Sequence, residues 1–421
     1  MEESDEFIDE SFFTDDSDNV KSEVEVQKTG LENSFNERQV GSITVPIEPV
    51  SCRVSLDALL EQFTRQPDLQ AIPIEEYDHV VGIIDRKTVE ETTSSAFKRF
   101  VAKTAGEYVK RSSFTLNTND FLEKVAAKVN DFALNEEVKY IVVLLNNRDF
   151  YGLVSVADIN NKINQLRAHD LEKAEAIQQN MLKISSDTKK FPFDVCIWNR
   201  MANPVGGDFY LAEALNESTY ITGVFDVSGK NVSAALLTVT IGSFFSMIKQ
   251  FGSVDNVNIT AQKLASLLDS YLQTIVSVGD FITGALAFVD HKNSKIELLN
   301  CGHTNVYIFL GDESGRVKVA ELKPTLPPFG MGAVADALKT GSSGYKMPLK
   351  AGLQIDIYSD GLIDMQNADG VRYDESHTKQ YFKDIYRVSS YDFEKETKKT
   401  VESWIGKAML PDDITVMNIR F

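Results

Sequence analysis

The sequence predicts an α+β protein in which sheets sandwiched by helices follow a repeated module and a helical linker. Three observations carry this. Residues 190–421 hold strand-like runs in meander-like hairpins, with the helical runs grouped between them. Residues 42–165 contain a weak internal repeat of βαββα order. Residues 159–188 read as one polar helix with an apolar stripe.

Residues 1–41 come first as a disordered acidic tail. The first 40 residues hold 13 acidic and 3 basic side chains and few periodic apolar ones, Phe12 and Phe13 apart. A solubilising tail and a docking segment both fit that composition.

The repeat follows. Its first copy runs from an extended segment, Ser42–Val50, through a helix, Leu56–Thr64, to strands Gln70–Ile74 and Val80–Ile84. The second has an extended segment near Phe114–Leu116, a helix Asp120–Asn130, and strands Tyr140–Leu145 and Phe150–Val154. Each copy closes on a glycine, a short apolar strand and a polar helix start, at Gly82–Asp85 and Gly152–Ser155. This order resembles a tandem pair of cystathionine-β-synthase (CBS) domains. The resemblance implies a regulatory, cofactor-type site for an adenosine ligand such as an adenine nucleotide. There Ser155 and Asp158 would hold the ribose, whereas Asp85 and Thr88 of the first copy do not match the pattern. Ser155 as a helix N-cap and Asp158 as a first-turn acid is the alternative. Without a ligand the pair would be a dimerising or scaffolding module, and a homodimer is one of the two arrangements that follow.

In the linker, Ile163, Leu166, Ala174, Ile177, Met181 and Ile184 fall near a three/four spacing. A short coiled coil and a helix laid on its own domain both fit. His169 reads as a solvated helix residue.

The last domain spans 190–421. Expected strands are Asp194–Arg200, Asp208–Leu215, Tyr220–Asp226, Phe281–Val289, Lys295–Cys301, Asn305–Leu310, Val317–Leu322, Leu353–Tyr358 and Ile414–Phe421. Expected helices are Val232–Lys249, Thr260–Thr274, Thr378–Arg387 and Phe393–Ala408.

Composition narrows the function. The chain has 421 residues and a net charge of -19, so a nucleic-acid partner is not expected, nor an anionic membrane surface. Cys52, Cys196 and Cys301 are isolated, and the N-terminal residues lack the pattern of a signal peptide. The most apolar run, Ala234–Ile248, reads as a buried helix too short to span a bilayer. These features place the protein in the cytoplasm.

Four acidic motifs then stand out: Val205–Tyr210 (VGGDFY), Asp226–Lys230 (DVSGK), Tyr358–Gly361 (YSDG) and Pro411–Thr415 (PDDIT). Asp208 and Asp226 lie symmetrically about the turn Asn216–Ser218, so a regular hairpin sets them opposite each other, roughly 5 Å apart at their α-carbons. Read separately, Asp208 would be a turn residue and Asp226 a helix cap. Asp360 follows one strand and Asp412 and Asp413 precede another. Four converging carboxylates need a cation, and oxygen donors without His or Cys select Mg²⁺ or Mn²⁺.

With Cys301-Gly302-His303, these motifs resemble the metal-dependent protein phosphatases (PPM) in order and spacing, most closely the sporulation stage II protein E (SpoIIE) branch. Ala176–Gln179 resembles the segment leading into that domain. The resemblance implies a β-sandwich flanked by helices, two metal ions, and serine/threonine phosphatase activity on a small signalling protein such as an anti-sigma-factor antagonist. It implies that Asp226 bridges the metals, that the Val227 carbonyl joins a shell, that Asp208 acts through water, and that Asp360 and Asp412 complete the set, with Asp413 less favoured. Lys230 and Arg200 are candidate phosphate guides or plain surface cations, and His303 is expected to be structural. Leu211, Phe225 and Asn231 depart from the branch pattern. They leave open a non-catalytic adaptor with a degenerate phosphatase fold.

Overall fold

The computed structural model describes residues 35–94, 104–111, 114–136, 139–189, 191–229, 231–252, 259–277, 279–311, 316–386 and 388–421. The acidic tail up to residue 34 and Lys230 lie outside them. The chain divides into two compact units, Met1–Ala168 and His169–Phe421.

The first unit realises the repeat. Copy one is β1 (Val50–Ser51), α1 (Leu56–Arg65), β2 (Ala71–Glu76), β3 (His79–Asp85) and α2 (Arg86–Ser94). A short strand, β4 (Lys110–Arg111), leads to copy two: β5 (Thr115–Asn117), α3 (Leu122–Glu136), β6 (Tyr140–Leu145), β7 (Asp149–Ser155) and α4 (Val156–Ile184). In each copy the first strand pairs parallel with the second, and the second antiparallel with the third. Both hairpins turn on two left-handed residues, Tyr77-Asp78 and Asn146-Asn147. Both carry a register shift on their first strand, at Ile74/Glu75 and Val143/Leu144.

The two closing glycines have a packing reason. A Cβ at Gly82 would sit 2.1 Å from the Lys110 carbonyl oxygen, and one at Gly152 would sit 2.3 Å from that of Val45. Each glycine lets a further segment close against the third strand of its copy: β4 on β3, and Val45 on β7 through paired Val45–Leu153 hydrogen bonds of 2.9 and 3.0 Å.

The second unit is two antiparallel five-stranded sheets face to face, each covered by helices. In order across the sheet, one consists of Tyr345–Pro348, Lys295–Cys301, Ile282–Asp290, Thr219–Val227 and Asp208–Ala214, and the other of Val317–Leu322, Val306–Gly311, Leu353–Tyr358, Ile414–Arg420 and Asp194–Arg200. Its elements are β8 (Asp194–Arg200), β9 (Asp208–Ala214), β10 (Thr219–Val227), α5 (Asn231–Gly252), α6 (Ala261–Gln273), β11 (Ile282–Asp290), β12 (Lys295–Cys301), β13 (Val306–Gly311), β14 (Val317–Leu322), α7 (Val334–Lys339), β15 (Tyr345–Pro348), β16 (Leu353–Tyr358), α8 (Gly361–Asp364), α9 (Asp374–Asp384), α10 (Ser390–Ile405) and β17 (Ile414–Arg420). Period-two alternation sorts the layers. Val224, Ala285, Ile308, Ile355, Ile357 and Met417 fill the space between the sheets. Phe209, Phe225 and Leu299 pack outward with Phe245 of α5 and Leu268 of α6. Tyr307, Tyr358 and Trp198 pack outward with Phe382 of α9 and Val401 of α10.

Two expectations need correction. The apolar helix α5 covers 22 residues, not the shorter run expected, and by length and composition it could cross a bilayer. Its Ala234, Ile241, Phe244 and Phe245 are instead buried in the core of the second unit. The linker stripe is out of phase in its C-terminal half. Ile177 and Ile184 are 59% and 57% exposed, while Gln178, Leu182 and Ser185 are buried. The domain is met by a face one residue further round the helix. Ile163 and Leu166 are buried in the first unit, as the stripe requires.

Candidate active site

Strand register assembles the site. β9 and β10 pair from Tyr220–Ala214 to Asp226–Asp208, so the two aspartates stand directly opposite at one end of the hairpin. β16 and β17 pair in the facing sheet, with Tyr358 opposite Val416. That register brings Asp360, just past β16, and Asp412, just before β17, to one end of their sheet.

Asp226 and Asp360 are hydrogen-bonded, and the Asp226 carboxyl is pushed up to about 8. Burial is the main cause, followed by the charges of Asp360 and Asp412. Asp208 is more deeply buried, and its carboxyl is raised by desolvation and then by the Asp226 charge. Its Oδ2 accepts hydrogen bonds from Ser359 Oγ at 2.7 Å and Thr415 Oγ1 at 2.6 Å. The predicted group is thus brought together unevenly: Asp226, Asp360 and Asp412 act on one another, while Asp208 is held back by two hydroxyls. The Val227 carbonyl lies beside Gly207, where a Cβ would come within 3.1 Å of it.

Asp413 does different work from its neighbour. Its Oδ1 accepts the Ala202 N–H and its Oδ2 the Gly207 N–H, both at 2.7 Å. A Cβ at Gly206 would lie 2.2 Å from Asp413 Oδ2, and one at Gly361 would lie 2.0 Å from the Asp413 carbonyl. Asp413 therefore ties the loops of three motifs together, and only glycine fits where it crosses them.

Reading of the sequence missed Gln178 of α4. It is 1% exposed. Its Nε2 donates to the Gly206 carbonyl and to Thr238 Oγ1, each at 2.7 Å, and its Oε1 accepts the Gly206 N–H at 3.1 Å. The available signal was a polar residue at a buried helix position, which the misphased stripe concealed. Ser359 and Thr415 lie inside the quoted motifs but carry no chemical signature of their own.

His303 is buried, and desolvation pushes its imidazole down to about 3, so it is neutral. Its Nδ1 is 2.9 Å from Thr283 Oγ1, and Thr283 pairs across the sheet with Asp226. Leu211 and Phe225 are fully buried in the helix-covered core, so these departures are packing residues.

Among the described residues, no three acidic, histidine or cysteine side chains are already arranged so that they could hold a metal ion. The donors still suit a hard divalent cation. They are oxygens only, and a cation would relieve the repulsion that raises Asp226.

In the first unit, Ser155 Oγ accepts the Asp158 N–H at 2.9 Å and donates to Asp158 Oδ2 at 2.6 Å, which is a helix cap. Both residues also line a cavity of about 740 Å³ with Glu48, Asp68, Gln70 and Tyr140. In copy one, Asp85 caps instead through the Thr88 N–H and binds Lys110 at 2.7 Å.

Two sheets sandwiched between helices form a fold that matches solved PP2C-type phosphatase domains. Residues 216–421 match the family described as Stage II sporulation protein E (SpoIIE). The chain is similar to the SiaA PP2C domain of Pseudomonas aeruginosa, with 21% identity and a TM-score of 0.50 over 62% of this chain and 98% of that one. It is also similar to the RsbU and RsbW domains of a Mycobacterium tuberculosis protein, at 20% identity and a TM-score of 0.43, covering 54% of this chain and 59% of that one. A third is the phosphatase domain, with a regulatory fragment, of Bacillus subtilis SpoIIE, at 17% identity and a TM-score of 0.43, covering 55% and 64%. No curated protein matches the chain.

Proposed function

We propose that the protein is a Mg²⁺- or Mn²⁺-dependent serine/threonine phosphatase acting on a phosphorylated signalling protein, under control of the N-terminal repeat. The observation that carries this is the Asp208–Asp226 pairing, with Asp360 hydrogen-bonded to Asp226 and Asp412 close enough to raise it. Asp226 would hold both ions, with the Val227 carbonyl, Asp360 and Asp412 completing the shells and Asp208 acting through water. Bound there, the ions would supply an activated water and neutralise charge on the phosphoryl oxygens. The chain's own part is positional. Asp413 fixes the Gly206-Gly207 turn, Ser359 and Thr415 fix Asp208, and Gln178 anchors the same turn to α4. By resemblance, the substrate is an anti-sigma-factor antagonist or a similar small regulator.

The regulatory reading treats the first unit as a CBS pair. It is supported by the matching turns and register shifts of its two copies and by the cavity at Ser155 and Asp158. All three cysteines are free, in keeping with a cytoplasmic setting.

Release of p-nitrophenol from p-nitrophenyl phosphate with Mn²⁺ is the test. Asp226→Asn should abolish it and leave the fold intact. Near-normal activity in that variant would overturn the site assignment, and a silent wild type would favour the adaptor.

A further inference from the structure

Next to the acid cluster stands a feature that the chemistry above does not use. Ser228, two residues past Asp226, is locked to Phe281 in both directions. Its N–H donates to the Phe281 carbonyl at 2.9 Å, and its Oγ accepts the Phe281 N–H at 2.7 Å. The following residue, Ile282, exchanges backbone hydrogen bonds of 3.0 and 2.8 Å with Phe329, which sets Phe281 beside Gly330.

Beyond Gly330 the chain turns through Met331, and Asp269 of α6 fixes that turn. The Asp269 carboxylate is 1% exposed. Its Oδ1 accepts the N–H groups of Gly330 and Gly332 at 2.8 and 3.2 Å, and its Oδ2 that of Val334 at 2.9 Å. A buried carboxylate is costly unless its lone pairs are satisfied, and here all three donors come from one loop. The consequence is a rigid backbone that holds Met331 at 57% exposure, with Phe281 at 37%. Val276 lies against Gly330, where a Cβ would come within 3.2 Å of it, and its neighbour Ile275 is 43% exposed. Single exposed apolar residues are ordinary; here three border one pinned loop, and the Ser228–Phe281 pairing joins that loop to the strand end that carries Asp226.

The occupant follows from charge and from continuity with the site. The chain carries -19, so long-range attraction does not bring in an anionic phosphoprotein. Apolar burial has no such sign. We propose that Ile275, Phe281 and Met331 form the docking lip for the phosphorylated protein substrate and receive an apolar side chain adjacent to its phosphorylated residue. This rests on the phosphatase reading and adds a substrate class to it: phosphosites flanked by apolar rather than polar residues.

The test uses the full chain with Mn²⁺ and three probes. These are p-nitrophenyl phosphate and two synthetic phosphothreonine peptides that differ only in carrying Leu or Ser on either side of the phosphorylated residue. The Leu peptide should exceed the Ser peptide by roughly tenfold in kcat/KM. Met331→Ser and Ile275→Ser, both at exposed positions, should each cut that ratio to about twofold or less while p-nitrophenyl phosphate turnover stays unchanged. Equal peptide rates in the wild type, or a preference that survives both substitutions, would overturn the lip while p-nitrophenyl phosphate is still hydrolysed. No hydrolysis of any probe would overturn the phosphatase reading and the lip with it.

Discussion

At the residue scale, two buried aspartates outside the reacting cluster make measurable predictions. Asp356 lies under α9 and α10 with no exposure, hydrogen-bonded to the amides of Gln354 and Asn418. Burial pushes its carboxyl up to about 7. Between about pH 4 and pH 7 the folded chain keeps a proton that the unfolded chain releases, so this group favours folding below that window and loses its contribution as pH rises through it. The loss is on the order of 4 kcal/mol. Asp356→Asn imitates the protonated form. Its melting temperature should vary less than that of the wild type between pH 4.5 and 7.5, and the wild-type curve should fall more steeply toward pH 7.5. Asp413→Ala is the second case. It strands the N–H groups of Ala202 and Gly207, costing roughly 2 kcal/mol of stability, and should lower p-nitrophenyl phosphate turnover without removing any proposed metal-holding carboxylate. Full turnover in a normally folded variant would show that the loop keeps its position without the clamp.

At the element scale, α4 is the informative case. Gln178 joins it to the Gly206 turn, and Ile177 points away. Gln178→Leu should keep the helix but lose three hydrogen bonds, lowering turnover about tenfold or more and costing roughly 2 kcal/mol of stability. Ile177→Glu should leave the fold untouched. A change in oligomeric state by light scattering would mark that exposed face as a contact between copies. The same helix shows where sequence reading stopped. The hairpin placing Asp208 opposite Asp226 was legible because strand alternation and a short turn leave one register. Strands such as β8, β12 and β16 were legible to the residue because apolar alternation begins and ends sharply there. The phase of α4 was not, because a 3.6-residue repeat with a glutamine on its buried face gives two overlapping stripes. β15 was missed because Tyr345–Pro348 is short, half-exposed and ends in proline. Ser359 and Thr415 were invisible as Asp208 partners because they converge only when two distant strands pair.

At the scale of the whole molecule, ligand response is the open consequence of the first unit. With the full chain, AMP, ADP, ATP and S-adenosylmethionine should be compared by calorimetry. A binder should raise the melting temperature with the logarithm of its excess, and Asp158→Ala should erase the rise. Binding that survives the substitution would move the ligand to the smaller cavity at Asp85 and Thr88, which Lys87, Lys110 and Lys139 also line. The glycine-seated strands carry a different lesson. Val45, ahead of copy one in sequence, closes the open edge of copy two, and Lys110, ahead of copy two, closes that of copy one. The copies are thus cross-laced, and neither owns its full complement of backbone partners. Trimming the chain to begin at residue 49, just ahead of β1, would look harmless on a domain diagram, yet it would bare the Leu153 amide and carbonyl on a strand edge and invite self-association. Duplication of this module therefore cannot be undone by cutting it in half; the pair is the smallest piece that closes on itself.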